Sequence, residues 1–381
     1  MSSAVIVDAV RTPFGRRNGW LSGLHAAELL GAVQTAVLER THTDPGEVDQ
    51  VIGGCVTPIG EQYGNVARTA WLHAGLPTGA GATAIDAQCG TSAQAVLLVA
   101  GQIVMGAVDV GLACGVEVMS RVPLTPKSGV GLGTPRPASW QLDMPDQYTA
   151  ADRIARRRGF SRNNLDAYGL CSQQRAQQAW AQQRFAGHVL TMKSPGADEH
   201  DAMVVQRDQG LRETSMEALA GLKTTVEGGL HTAGTSSQVS DGASAALLMS
   251  AAHAASVGVP AKAQVLAQCV IGGDTEYMLD GPIAAATRLL ERTGMSIRDI
   301  DLFEVNEAFA AIPMSFAATL GVEEDRLNVN GGAIALGHPA GATGIRLLAN
   351  VVDELGRRDG HLAMIAICAA AATTALIVER L

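Results

Sequence analysis

A chain of 381 residues, 47% apolar and only 17% charged, holds enough material for two or three packed units around a large buried core. Its net charge of −9 argues against a general nucleic-acid binder, although a local basic site for a phosphate remains compatible with it. No run reaches the roughly eighteen apolar residues of a membrane span.

The N-terminus has no charged segment leading into a long apolar stretch, and the end Val378-Glu379-Arg380-Leu381 is not a peroxisomal address, so a cytoplasmic protein is expected. The six cysteines are Cys55, Cys89, Cys114, Cys171, Cys269 and Cys368, and none stand at metal-ligand spacing. In a chain of this size without a leader they read as free thiols, mostly small core residues, with one or two open to nucleophilic work. No metal site is expected.

Strand and helix signals alternate over residues 1–118. Ala4 to Val7 reads as a strand, and Ala26 to Arg40 as a helix with apolar Leu29, Leu30, Val33 and Val37. Val51 to Val56 is a strand interrupted by Gly53 and Gly54, and Val66 to Ala74 a helix ending at Gly75. Ala82 to Ala87, Ser92 to Met105 and Val108 to Cys114 read as strand, helix and buried strand. Such alternation implies a mainly parallel sheet covered by helices. Residues 119–234 are less apolar, with Pro and Gly clustered from Pro123 to Pro137 and a helix from Thr149 carrying Arg153, Arg156, Arg157, Arg158 and Arg162. They read as a cap inserted into the fold. The α/β rhythm resumes near residue 236. Strands are expected at Ala243 to Met249, Ala263 to Ile271, Leu302 to Val305, His361 to Cys368 and Ala375 to Val378, and helices at Ile283 to Thr293 and Ala308 to Leu320.

Four residues carry candidate chemistry. His338 lies in the glycine-dense run Asn330-Gly331-Gly332-Ala333-Ile334-Ala335-Leu336-Gly337-His338-Pro339, just ahead of helical text from Thr343. Glycines permit close backbone approach and the proline stiffens the loop, so the imidazole reads as a general base. Cys89, in Gln88-Cys89-Gly90-Thr91-Ser92, falls between a strand and a helix. There the helix N-terminus favours a thiolate and its N–H groups can hold an oxyanion; the plainer reading is a buried core cysteine. Asn306-Glu307 follows a strand inside apolar text and needs polar partners, either as a helix cap or as an amide that places a water or oxyanion. Cys368 ends an apolar strand and by itself reads as core. All four fall where strands give way to loops, the usual place for a site in an open α/β sheet. A thiol, an imidazole and an amide together suit covalent acyl transfer.

These blocks resemble the thiolase family over essentially the full chain. The resemblance rests on Ile6-Val7-Asp8-Ala9-Val10-Arg11-Thr12-Pro13-Phe14-Gly15, the Cys89 block, Ser240-Asp241-Gly242-Ala243-Ser244-Ala245, Asn306-Glu307-Ala308-Phe309-Ala310 and the His338 block, in family order. It implies two similar αβα halves forming a five-layered αβαβα unit, residues 1–118 completed by about 235–258 and residues 259–381, with a loop domain at 119–234 covering the site. It implies a homodimer or homotetramer, and reversible cleavage of a 3-oxoacyl-CoA by coenzyme A as cosubstrate, with no bound cofactor. By the same resemblance Cys89 is the nucleophile, His338 its base and Cys368 the second acid. The backbone of Cys89 and Ala370 forms one oxyanion hole, and Asn306 with His338 another. Ser237 and Lys223 match positions near the CoA chain. The arginine run from Arg153 reads as a solvated helix face or as a contact for CoA phosphates.

Two departures from the family pattern stand out. Ala369 to Ala372 replace a usually glycine-rich loop, and an alanine forced to positive φ costs about 1–2 kcal/mol. Either the loop takes another path or the oxyanion hole is altered. The second outcome would leave an acyl-CoA-binding protein with impaired catalysis. Met144-Pro145-Asp146-Gln147-Tyr148-Thr149 lacks the His-Met-Gly of short-chain biosynthetic members, which points to a longer or bulkier acyl group, fatty or steroid, over a biosynthetic acetoacetyl-CoA thiolase. A carrier-fed ketosynthase is a further alternative, and the Asn306 and Cys368 pattern argues against it.

Overall fold

The computed structural model describes residues 3–124, 136–195, 203–370 and 372–381. In chain order the first part contains β1 (Ala4–Arg11), β2 (Gly15–Arg16), α1 (Ala26–Thr41), β3 (Gln50–Gly54), α2 (Val66–His73), β4 (Gly81–Ile85), α3 (Thr91–Val104) and β5 (Val110–Val118). Next come α4 (Gln147–Arg157), α5 (Arg162–Ala181), the short pair β6 (Met192–Ser194) and β7 (Met203–Val205), and α6 (Met216–Ala220). The last part contains β8 (Ser240–Ser250), α7 (Ala251–Val257), β9 (Ala263–Ile271), α8 (Gly281–Thr293), β10 (Leu302–Val305), α9 (Ala311–Leu320), α10 (Ala333–Leu336), α11 (Thr343–Arg358), β11 (Leu362–Ile367) and β12 (Thr373–Arg380).

The main sheet runs β10-β11-β12-β9-β1-β8-β5-β3-β4, with β2 on the side of β8. Its two halves repeat one pattern. In the first, β3 is parallel to β5, β5 antiparallel to β8, and β8 antiparallel to β1. In the second, β10 is parallel to β11, β11 antiparallel to β12, and β12 antiparallel to β9. A short antiparallel pairing of Val5 with Gln264 and Ile6 with Ala263 joins them. The expectation of a mainly parallel sheet is therefore corrected. Parallel neighbours need a crossover of a dozen or more residues, and residues 368–372 between β11 and β12 are too few for one.

Strand alternation sorts the core into layers. Along β1, Val5 and Val7 face α1 and α2, against Leu29, Val33, Val37 and Trp71. Ile6 turns the other way, toward α3 and α11, against Val96, Ile103, Ile345 and Val351. Along β11, Ala363, Ile365 and Ile367 join that same middle cluster, while Met364 and Ala366 pack on α8 and α9 with Leu289, Ile312 and Phe316. Helices α3 and α11 thus share one buried layer between the two sheet halves, which makes the five layers.

The middle layer positions the site. Gly344 at the start of α11 meets Ala93 of α3 so closely that a Cβ on it would lie 2.2 Å from the Ala93 nitrogen. The Ile345 N–H donates to Ser92 Oγ at 3.1 Å. Both helix starts are held together, and the loops that precede them carry Cys89 and His338.

Candidate active site

Cys89 sits one residue ahead of Gly90, the N-cap of α3. Gln88 before it is held at φ +51°, a left-handed backbone uncommon outside glycine and Asn or Asp. Thr91 fixes that turn: its Oγ1 donates to the Gln88 carbonyl at 2.7 Å and accepts the Ala87 N–H at 3.0 Å. The turn leaves the thiol half-buried at the floor of a cleft of about 580 Å³. Burial, and secondly the negative charge of Glu117, push the Cys89 thiol up to about 12. Burial thus outweighs the pull of the helix N-terminus, and the thiol rests protonated.

His338 lies between α10 and α11, in a loop whose preceding Gly337 adopts φ +108°. Its backbone N–H donates to Ser240 Oγ at 3.0 Å. The ring tautomer follows from its neighbours. Thr343 spends its one hydroxyl proton on the Pro339 carbonyl at 2.8 Å, so its oxygen accepts from His338 Nδ1–H at 2.6 Å. Nε2 is left with its lone pair, 3.5 Å from the Asn306 amide nitrogen. Burial first, and the Arg346 cation second, lower the imidazole to about 3. Thiol and imidazole are both neutral at rest.

Asn306 follows β10 and is fully buried, its N–H donated to the Ala366 carbonyl at 3.0 Å. The Arg346 guanidinium donates to Asn306 Oδ1 at 3.5 Å and to Glu304 Oε2 at 3.0 Å, which turns Nδ2 toward His338. The adjacent Glu307 finds the partners its burial demands: Tyr168 Oη–H at 3.0 Å, Ser172 Oγ–H at 2.7 Å, and the N–H of Ile334 in the His338 loop at 3.2 Å. It ties α5 to that loop. Cys368, just past β11, is buried, and its thiol is raised well above the ordinary range by burial and then by the charge of Cys89. A thiolate at Cys89 therefore opposes ionisation of Cys368.

The cleft is lined by apolar Met119, Leu124, Tyr148, Val239 and Phe309 beside Cys89 and His338. Ser237 lines it as well, its N–H held by the Ala308 carbonyl at 2.9 Å. Lys223 is exposed and lies outside that lining. Ala370 is half-buried in the loop after Cys368, and neither it nor Ala369 is among the described residues at positive φ, while Ala371 lies outside the described residues. The arginine run has largely another use than phosphate contact. Arg153 pairs with Asp143 at 2.8 Å, Arg158 with Asp280 at 3.1 Å and Arg162 with Asp166 at 2.7 Å. Arg156 donates to the Gly228 carbonyl at 2.8 Å, and Arg157 lies over the Tyr277 ring.

Comparison with known proteins decides the family. The description "Thiolase, N-terminal domain" matches residues 4–252 and "Thiolase, C-terminal domain" residues 259–380. The chain belongs to the thiolase family. It is 38% identical to the steroid 3-ketoacyl-CoA thiolase FadA6 of Mycobacterium tuberculosis, over 100% of this chain and 95% of that one. It is 37% identical to a 3-ketoacyl-CoA thiolase of Shewanella denitrificans, over 97% and 96%. Among solved structures, human mitochondrial 3-ketoacyl-CoA thiolase superposes with a TM-score of 0.91 at 30% identity, covering 100% of this chain and 99% of that one. The acetyl-CoA acetyltransferase of Bacillus anthracis gives 0.91 at 32%, with the same coverage.

This thiolase is an acyltransferase, and its site carries more residues than the motifs alone point to. Thr343, Arg346, Glu304 and Glu117 were not singled out by spacing or motif. A signal for three of them does exist in the sequence: Glu117 and Glu304 are single charges inside apolar strands, and Arg346 stands in the apolar start of α11. Each such charge, once buried, requires a partner. No group of His, Cys, Asp and Glu able to hold a metal occurs among the described residues.

Proposed function

We propose that this thiolase works in the degradative direction, cleaving a 3-oxoacyl-CoA with CoA to acetyl-CoA and an acyl-CoA two carbons shorter. The observation that carries the reading is a half-buried thiol and an imidazole of fixed tautomer on two helix starts pinned together at one cleft. His338 Nε2 takes the Cys89 proton as the sulfur attacks the 3-oxo carbon, so charge separation occurs only with substrate in place. The backbone N–H groups of Cys89 and Ala370 receive the oxyanion. The C2–C3 bond then breaks and its electron pair passes to the enolate of acetyl-CoA, whose oxygen is held by His338 and by water on Asn306. Cys368, whose burial keeps its proton on, protonates C2. The CoA thiol next loses its proton to the site and attacks the acyl-Cys89, releasing the shortened acyl-CoA. Ser237 supports the pantetheine chain and Lys223 the outer part of CoA.

The apolar lining of Met119, Leu124, Val239, Tyr148 and Phe309 supports a long or ring-bearing acyl group. So does the 38% identity to a relative named a steroid 3-ketoacyl-CoA thiolase. Because neither Ala369 nor Ala370 is at positive φ, the described part of this loop gives no ground for an altered oxyanion hole. The division into an N-terminal half, a loop domain at 119–234 and a C-terminal half from 259 fits the sheet halves and the position of α4 to α6. No helix among the described residues is long and apolar enough to cross a membrane. The chain is a homo-oligomer in this reading: β4 is an edge strand, and Leu72, Leu98 and Met105 are exposed.

The test is intact mass after brief exposure to a 3-oxoacyl-CoA, with Cys89→Ala alongside. An acyl adduct that needs Cys89 and disappears on adding CoA is expected. Its absence from the wild-type protein would overturn the reading.

A further inference from the structure

Glu117 is the one charged residue of β5, and it is fully buried. It lies outside every motif that identifies the chemistry. Its carboxylate is surrounded by donors. Oε2 accepts the N–H of Val56 at 2.8 Å and of Gly341 at 3.0 Å. Oε1 accepts the N–H of Thr57 at 3.3 Å and Gln62 Nε2–H at 2.8 Å. The Gln62 amide cannot be turned around, because its Oε1 takes the Val118 N–H at 2.9 Å.

Gly341 belongs to the loop that runs from His338 to Thr343. That loop lies directly on the backbone of β5: a Cβ on Gly341 would sit 2.5 Å from the Val116 carbonyl oxygen, and one on Gly115 would sit 2.1 Å from the Gly341 oxygen. Glycine provides the close approach, and Glu117 provides the hydrogen bond that holds it. The same carboxylate is close enough to Cys89 and Cys55 to hold both thiols up, second only to burial in each case. Asp86 acts on both thiols in the same direction.

We propose that Glu117 is a positioning residue for the cysteine–histidine pair: its carboxylate pins the His338 loop to β5 and to the Val56–Gln62 turn, and places a negative charge within reach of Cys89. The inference rests on the thiolase reading for its effect on turnover, but not for its effect on the thiol. Above about pH 7 the ionised side chain is acceptor-only, which matches a ring of four N–H donors. Glutamine would aim an N–H₂ at a ring of donors. Aspartate keeps the charge, but its shorter side chain withdraws it from the Gly341 N–H.

The experiment compares wild type, Glu117→Gln and Glu117→Asp in two assays. One is steady-state thiolysis of 3-oxooctanoyl-CoA. The other is the rate of Cys89 alkylation by iodoacetamide as pH is raised, read by mass on the Cys89 peptide. Glu117→Gln is expected to lower kcat on the order of 100-fold with KM little changed, since a misplaced base costs about that much. The same variant is expected to alkylate Cys89 faster than wild type, because the opposing charge is gone. Glu117→Asp is expected to lower kcat while leaving alkylation at the wild-type rate. A purely structural role would move turnover and folded fraction together and would not accelerate the thiol. Wild-type kcat in either variant, or unchanged alkylation in Glu117→Gln, would overturn the proposal. If Glu117→Gln does not fold, Glu117→Asp still decides it through kcat. Absence of wild-type turnover on 3-oxooctanoyl-CoA and on a long-chain 3-oxoacyl-CoA alike would defeat the thiolase reading instead, and the alkylation comparison would still stand.

Discussion

Thr343 sets the proton count at the base. Its hydroxyl proton is committed to Pro339, so its oxygen is the acceptor that keeps hydrogen on His338 Nδ1 and leaves Nε2 basic. Thr343→Val keeps the shape and removes the acceptor. Turnover is expected to fall about 10- to 100-fold, the usual cost of losing the partner that orients a working imidazole, with KM close to wild type in steady-state kinetics. An unchanged kcat would show that the tautomer is held by something else. Ala370 offers the opposite case. With its backbone away from positive φ, Ala370→Gly relieves no strain. Thermal melting should show a loss of about 0.5–1 kcal/mol from the added freedom of the unfolded chain. A gain in stability or a large gain in kcat would reveal a strained alanine. His338, Cys89 and Asn306 stood out in the sequence as unusual residue types in short blocks, whereas Cys368 by itself read as core and entered through the family resemblance; the expected strand before His338 is the short helix α10. Thr343 did not stand out, since a threonine opening a helix is ordinary and only the register of the loop aims it at the imidazole.

Between elements, the decisive contact is the crossing of α3 and α11, where Gly344 abuts Ala93. Gly344→Ala would put a methyl group 2.2 Å from a backbone nitrogen, and neither helix can yield without moving its neighbour in the buried layer. Melting should show a loss of about 1–3 kcal/mol, the usual penalty of overpacking, and activity should fall more than in Thr343→Val, because the loops of Cys89 and His338 move apart. Gly356→Ala lies on the same helix where a Cβ meets open space. There a gain of up to about 1 kcal/mol with normal turnover is expected, since alanine is the better helix former. Should both variants behave alike, the close crossing would not be what assembles the site. Most elements were readable from periodicity to within a residue or two: β9 and β10 fall where the apolar runs place them, α1 runs one residue longer at its end, and α3 is shifted by one residue at each end. The break between α4 and α5 was not, because Arg153 to Arg162 reads as one basic run. The structure shows those arginines tying α4 to Asp143, Asp280 and the Gly228 carbonyl, while Arg162 pairs with Asp166 within α5. A charged side chain looks alike in sequence whether it faces water or a partner far along the chain.

Across the whole molecule, the repeated rhythm of strands and helices announced two similar halves, but not the direction of the strands. Direction depends on connection length, and the short link between β11 and β12 was visible only as an alanine run. The layered packing has a consequence for acid stability. The five layers bury His338 and also His188, whose ring Nδ1 meets Asp353 at 2.7 Å; burial lowers both imidazoles despite that partner. For His338 the folded value of about 3 lies below the unfolded 6.5. Between those limits the unfolded chain binds the proton more readily, so stability drops as pH falls below about 6.5, by about 1.4 kcal/mol for each further pH unit. Glu117 works in the other direction. Raised by burial to about 7, it binds its proton more readily in the folded state between 4.5 and 7, and buried Glu304, raised to about 8, does the same up to that value, so the two carboxyls oppose the His338 loss over that window and the His338 effect is read as a difference between variants. His338→Asn removes the larger acid-sensitive group while retaining a polar partner for Thr343. Melting temperatures of wild type and variant, followed from pH 8 down to pH 5, are expected to converge or cross. Relative to His338→Asn, the wild type should lose stability as pH falls below 6.5, because both proteins share the carboxyl contribution and only the wild type carries the imidazole. Parallel curves would mean that His338 takes up its proton in the folded state without cost, and that the neutral thiol–imidazole pair is not the resting form of the site.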